Sequence, residues 1–177
     1  MISHDTSIDH QELDKVIVSI DPATWSGETG MIIAGVKHLN DSESICYILD
    51  DLTCEPEPSI WGPIAAKAFE EWGADEIVYE RNQGGAMVEH VLETYGVDPG
   101  YVQDLQSQTS KANRAEPVAA LYDSGQVVHA KAFEELESQM CSWVPTERRR
   151  SPDRMDAMVH AVTHLIIDQS GTFDMYW

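Results

Sequence analysis

Apolar residues along this chain fall into short continuous runs in the first third and into helical spacing further on. Val16 to Ile20 is a β-branched run bounded by a charged tail and by Pro22, and it predicts a strand buried on both faces that ends on Asp21. Gly27 and Gly30, with Ser26 and Thr29 between them, turn the chain into a second strand, Met31 to Val36. Ser44 to Leu52 gives a third, and the spacing predicts an antiparallel meander ended by Pro56 and Pro58. Ile60, Trp61, Ile64, Ala65, Ala68, Phe69 and Trp72 then repeat at helical spacing, so Ser59 to Trp72 reads as an amphipathic helix stopped by Gly73. Glu76 to Tyr79 is a short strand ending on Glu80. The helix before it makes it parallel to the first strand by a right-handed crossover.

The second half is more helical. Met87, Val88, Val91, Leu92 and Tyr95 give the next helix its buried stripe, and Tyr101 to Leu105 reads as another strand. The polar segment QSQTSKANRAEP leads into helix at Val118 to Tyr122, closed by Gly125. Gln126 to His129 is a short strand or extended piece, and Phe133 to Trp143 a helix with Phe133, Leu136, Met140 and Trp143 inward. In the last helix Ser151 can cap and Pro152 takes the first position. Met155, Met158, Val159, Val162, Leu165 and Ile166 share one face, and Asp153, Asp156, His160 and His164 the other.

This pattern brings acids together. Asp21 and Glu80 end two parallel strands and so reach one edge of the sheet, where open α/β folds place ligands; the bland alternative for Asp21 is a turn cap. Asp153 and Asp156 lie in the first turn of the last helix, where acids also complement the helix dipole. Asn82 either caps the following helix or orients a carboxylate. His160 and His164 have metal-ligand spacing but lack the glutamate of an HExxH zinc motif. No GxxxxGK[ST] occurs, which excludes a P-loop ATPase site.

Composition narrows the class. At 177 residues one domain is the default, with Met1 to Asp14, polar and aperiodic, as a flexible leader or linker remnant before a domain over 15–177. No apolar run approaches the roughly 20 residues needed to span a bilayer, and no signal peptide opens the chain. The 3 cysteines lack CxxC spacing, which fits a reducing compartment and argues against a zinc ribbon. With 31 acids against 11 bases the net charge is −20, which repels nucleic acid at ordinary salt and reads as a solvated shell suited to a salty cytoplasm. Yet Lys111, Arg114, Lys131, Arg148, Arg149, Arg150 and Arg154 crowd into one quarter of the chain. The triplet Arg148 to Arg150 is either a solvated patch or a phosphate contact.

The stretches VIVSIDPA, EIVYERNQGG, KANRAEPVAALYDSGQVVH and SPDRMDAMVHAV resemble the nuclease domain of the viral large terminase subunit, the DNA-packaging motor of tailed viruses, over Val16 to Ile167. The resemblance implies an α/β, ribonuclease H-like fold with a central mixed five-stranded sheet and flanking helices. It implies a metal-dependent endonuclease that cuts concatemeric double-stranded viral DNA to genome length with two Mg²⁺ or Mn²⁺ ions. Asp21, Glu80 and Asp156 match the metal-binding acids, with Asp153 as an auxiliary and Asn82 behind them. Lys111 and Arg114 match basic positions suited to the DNA backbone, joined by Arg148, Arg149 and Arg150. His160 departs from the pattern, standing where a bulky apolar residue is expected. Implied partners are an N-terminal ATPase domain of the same polypeptide, the portal and the small terminase subunit, with no membrane. The implied location is the host cell cytoplasm and not the mature virion, and the acidic surface points to a virus of a halophilic host. Two rivals share these residues: a junction-resolvase-like nuclease, which would dimerise and prefer branched DNA, and a non-catalytic DNA-gripping element of the motor.

Overall fold

A computed structural model describes residues 1–23, 27–81, 85–105, 111–144 and 152–170. Among them, seven strands make one sheet: β1 (Ser3–His4), β2 (Lys15–Asp21), β3 (Gly30–His38), β4 (Ser44–Asp51), β5 (Glu76–Glu80), β6 (Val102–Leu105) and β7 (Val127–His129), in the order β1-β7-β4-β3-β2-β5-β6. The helices are α1 (Pro58–Glu71), α2 (Gly85–Thr94), α3 (Lys111–Asp123), α4 (Glu134–Ser142) and α5 (Asp153–Val162), the last running on through a π-helical turn, Thr163–Ile167. No helix among the described residues is long and apolar enough to cross a membrane.

The meander β2–β3–β4 is antiparallel, and every other pairing in the sheet is parallel. Only β3 therefore runs against the rest, and the fold is the expected mixed α/β sheet with flanking helices. It has seven strands where five were expected. The additions are the β7 ladder and a two-residue strand, β1, too short to carry any sequence period. The segment 1–14, read as a leader, is laid onto the sheet: Ser3 and His4 pair with Val128 and His129, and Ile2 packs against the core.

Alternation along the strands sorts the core into two layers. Val16, Val18 and Ile20 of β2, with Ile77 and Tyr79 of β5, pack under α1 and α2 against Trp61, Ala65, Val88 and Leu92. Ile17 and Val78 face the other way and join α3, α4 and α5 through Val118, Leu136, Met158 and Val162. Each such fully buried aliphatic contributes about 1.5–3 kcal/mol. Glycine closes α1 as expected, since Gly73 adopts φ +56° just past its end. Helix α3 begins earlier than the apolar pattern predicted, at Lys111, and carries Pro117 inside it.

One irregularity has a use. The register of β3 against β4 shifts between Ile33 and Ala34, so that Asp51 pairs with Ile32. Ile32 belongs to the α5 side of the core. The extra residue in β4 thus turns Asp51 toward α5, whereas strict alternation from Tyr47 and Leu49 would have aimed it under α1.

Candidate active site

Strand β2 pairs with β5 in parallel register, Ile17 with Glu76 through Ile20 with Tyr79. The next residues on each strand are Asp21 and Glu80, so these two acids stand side by side at the carboxyl edge. Alternation puts both on the α5 face, two residues beyond Ser19 and Val78. Both are buried, Asp21 at 3% and Glu80 at 9% exposure.

Helix α5 is seated on this edge at three points. The Ser19 hydroxyl donates to the Ala157 carbonyl over 2.8 Å, beside Asp156. Gly30, the ladder partner of Asp21, lies under the Asp153 backbone, where a β-carbon would sit 2.1 Å from the Asp153 carbonyl oxygen. Arg154 reaches from the same turn to Asp51 at 2.8 Å, Glu28 at 3.1 Å and Glu135 at 2.7 Å. Every residue from Arg154 to Val162 is buried, so the polar face predicted for this helix looks onto the sheet and not onto solvent.

Glu80 is closely held. Arg114 Nη2 donates to its Oε1 over 3.0 Å, and His160 Nε2 lies 2.8 Å from its Oε2. Burial pushes the Glu80 pKa up, but His160 and Arg114 outweigh it and hold the group down at about 2. One helical turn on, His164 contacts Glu76 Oε1 at 2.5 Å, and Lys15 meets the same oxygen at 2.7 Å. The two histidines with metal-ligand spacing are therefore each matched to a different β5 glutamate. His160 occupies the expected apolar position because a buried carboxylate faces it.

The structure places the remaining predicted residues unevenly. Asp156, 5% exposed, lines a small cavity with Arg114, Trp143 and His160. Asp153 turns toward the β2–β3 turn, its Oδ2 accepting from the Glu28 amide at 3.2 Å beside Gly27, which adopts φ +110°. Arg114 is 9% exposed and engaged with Glu80, inside the fold and not on its surface. Lys111 opens α3, and its side chain lies outside the described set. Asn82, Arg148, Arg149, Arg150 and Ser151 also lie outside the described residues. The carboxylates of Asp21, Glu80 and Asp156 do not all come within 4.8 Å of one another; among the described residues, His4, His129 and Glu137 do.

Arg154 is the residue that sequence reasoning passed over. It stood among the bases of the SPDRMDA stretch, and the signal was present there: an arginine two residues before a buried acid, on a helix that packs into the core, needs its own acid partners.

Comparison with known proteins agrees with this layout. The family profile described as "Terminase RNaseH-like domain" matches residues 18–165. The fold is similar to the large terminase of a thermophilic bacteriophage, with a TM-score of 0.67 and 13% identity over 92% of this chain and 42% of that one. It is also similar to the Mn-bound nuclease domain of the bacteriophage SPP1 large terminase, with a TM-score of 0.63 and 9% identity over 92% of this chain and 96% of that one. The Mn-soaked human cytomegalovirus terminase nuclease domain matches with a TM-score of 0.59 and 13% identity over 94% of this chain and 90% of that one. This chain thus spans less than half the length of the thermophilic phage protein. No curated protein sequence matches it. With the profile covering both acid-tipped strands and the helix laid across them, the chain belongs to the terminase ribonuclease H-like domain family.

Proposed function

We propose that this domain is a divalent-metal-dependent endonuclease of a viral DNA-packaging terminase, cutting double-stranded DNA. The observation that carries this reading is the parallel register of β2 and β5, which sets Asp21 beside Glu80 on the face that receives α5 and Asp156. Three buried acids brought to one sheet edge from three separate elements make that edge a functional candidate.

The donor set fits Mg²⁺ or Mn²⁺. Hard ions take oxygen ligands, and three carboxylates from three elements supply them without cysteine. Glu80 Oε2 is buried with His160 Nε2 2.8 Å away. Asp21, Glu80 and Asp156 would hold the ions, two in the proposed mechanism, with Asp153 at the margin. Bound there, they supply activation of the attacking water and neutralisation of charge at the departing 3′ oxygen. The chain's own residues set the conditions for this. His160 and Arg114 keep Glu80 ionised, and the Ser19 and Arg154 contacts fix the Asp156 turn on the strand ends. Lys111 and the Arg148 to Arg150 stretch would hold phosphates without reading sequence. The thermophilic phage large terminase, the SPP1 nuclease domain with bound Mn and the Mn-soaked cytomegalovirus domain support the same assignment. A preceding ATPase domain, the portal and the small subunit are the proposed partners.

Cleavage of supercoiled plasmid in Mn²⁺, Mg²⁺ or EDTA tests this. Metal-dependent nicking that disappears in Asp21→Asn and Asp156→Asn, both still folded by circular dichroism, is expected. Binding of DNA without cleavage under any metal, or cleavage that survives both substitutions, would overturn it.

A further inference from the structure

We propose that His4, His129 and Glu137 form a zinc site that fastens the first strand to the sheet. One ligand atom from each lies within 4.8 Å of the others. Their convergence follows from the ladder and not from chance crowding of surface groups. His4 and His129 are register partners on the parallel strands β1 and β7, so their imidazoles leave the same face, 5.8 Å apart and nearly perpendicular at 86°. Glu137 comes down from the first turn of α4. Its Oε1 lies 2.8 Å from His4 Nε2, 2.9 Å from His129 Nδ1 and 3.1 Å from the Phe133 amide that donates to it. That amide contact holds the carboxylate in place whatever the imidazoles do.

The surroundings are those of a histidine ligand. The far nitrogen of His129 is 2.8 Å from the buried Tyr122 hydroxyl. Metal-bound imidazoles regularly engage such a partner on the second nitrogen, which fixes ring and tautomer. Without an ion, the Tyr122 hydroxyl donates to Nε2 and Nδ1–H donates to Glu137. Ligation moves the proton of each imidazole to its non-ligating nitrogen, so both rings stay neutral, and His129 Nε2–H then donates to the Tyr122 oxygen. His129 is wholly buried and backs the site, while the His4 side chain is 37% exposed and leaves room for water in a fourth position. Two imidazoles and one carboxylate suit four-coordinate Zn²⁺; Mg²⁺ prefers oxygen throughout. Register carried across the sheet sets His129 level with Ile17, four residues short of Asp21, and three strand spacings away, roughly 14 Å across the sheet, so the two metal sites are separable.

The test is calorimetric titration of the EDTA-stripped, buffer-exchanged full chain with ZnCl₂, with His4→Ala, Glu137→Gln and Asp21→Asn as comparisons. Expected is one zinc per chain at this site, at least tenfold weaker binding in His4→Ala and in Glu137→Gln, and no weakening in Asp21→Asn. The imidazole NMR signals of His4 and His129 should move with Zn²⁺ and stay put with Mg²⁺. His4 ends an exposed edge strand, so its loss leaves the fold standing and the comparison readable. Zinc that binds equally well to His4→Ala, that is lost only in Asp21→Asn, or that leaves both imidazoles unmoved would reduce the trio to a hydrogen-bonded clasp.

Discussion

Gly30 lies beneath Asp153 with no room for a side chain: a β-carbon there would sit 2.1 Å from the Asp153 carbonyl oxygen. Because that atom is backbone, the first turn of α5 would have to lift. Gly30→Ala should therefore cost about 1–3 kcal/mol of stability and much of the cleavage rate, by moving Asp156 off the strand ends. Chemical denaturation beside a plasmid assay checks this; an unchanged rate would mean the helix tolerates the shift.

Asp21 separates a working acid from a turn cap. Asp21→Asn should leave the metal-free domain equally stable or slightly more so. The wild type should gain melting temperature with Mn²⁺ by mass action, and the variant much less. If the variant melts several degrees earlier without metal, Asp21 holds the β2–β3 turn and is no ligand.

Arg154 neutralises Asp51, whose side chain is 7% exposed. Arg154→Met leaves that carboxylate buried without its cation and should cost about 3–5 kcal/mol. Adding Asp51→Asn should restore a good part of the loss, because the two changes share one contact. Urea unfolding of the single and double variants measures the coupling.

Glu76 gives the acid response a sign. Burial pushes its pKa up, but His164 and Lys15 outweigh this and hold it below its ordinary value of 4.5. Its contribution is complete above 4.5 and is lost as pH falls through the lowered folded value. Glu76→Gln should cost about 1–3 kcal/mol at neutral pH, typical of hydrogen bonds to a charged group. Below 4.5 its stability should fall less steeply with acid than the wild type's, in melting curves across that range.

Replacing Arg148, Arg149 and Arg150 with alanine should weaken DNA binding and flatten its salt dependence by up to about three contacts' worth, with metal affinity kept. An unchanged slope in fluorescence anisotropy would return the triplet to solvent. Wild-type cleavage retained in molar KCl would support a halophilic host.

How much of this was legible follows from the range of each interaction. The acid tips of β2 and β5 and their parallel relation were readable, because strand alternation and a right-handed crossover are local rules. The match of His160 to Glu80 and of His164 to Glu76 was not. It depends on how far α5 slides along β5, and residues 80 or more apart in sequence leave no periodic trace of that. Asp153 was readable as an acid in a first helical turn, but its direction toward Glu28 was set by the β2–β3 turn. The partner of Arg154 was hidden by the β4 bulge, since uninterrupted alternation assigns Asp51 to the wrong face. Strand β1 was missed because two residues cannot show a period.

The hydrogen bond from Ser19 to Ala157 joins positions 138 residues apart. A ribosome making this chain completes both acid-tipped strands long before the helix that must lie across them. Closing so long a loop is entropically dear at first and grows only slowly with further length, about 0.6 kcal/mol per doubling. We infer that the last helix docks late, and that a nascent or truncated chain holds two of the three acids without the catalyst. In stopped-flow refolding, recovery of plasmid cleavage should lag behind the far-ultraviolet signal of the sheet. Simultaneous recovery would mean the helix is part of the folding nucleus. Late docking would keep the proposed acid site incomplete until the last helix has been made.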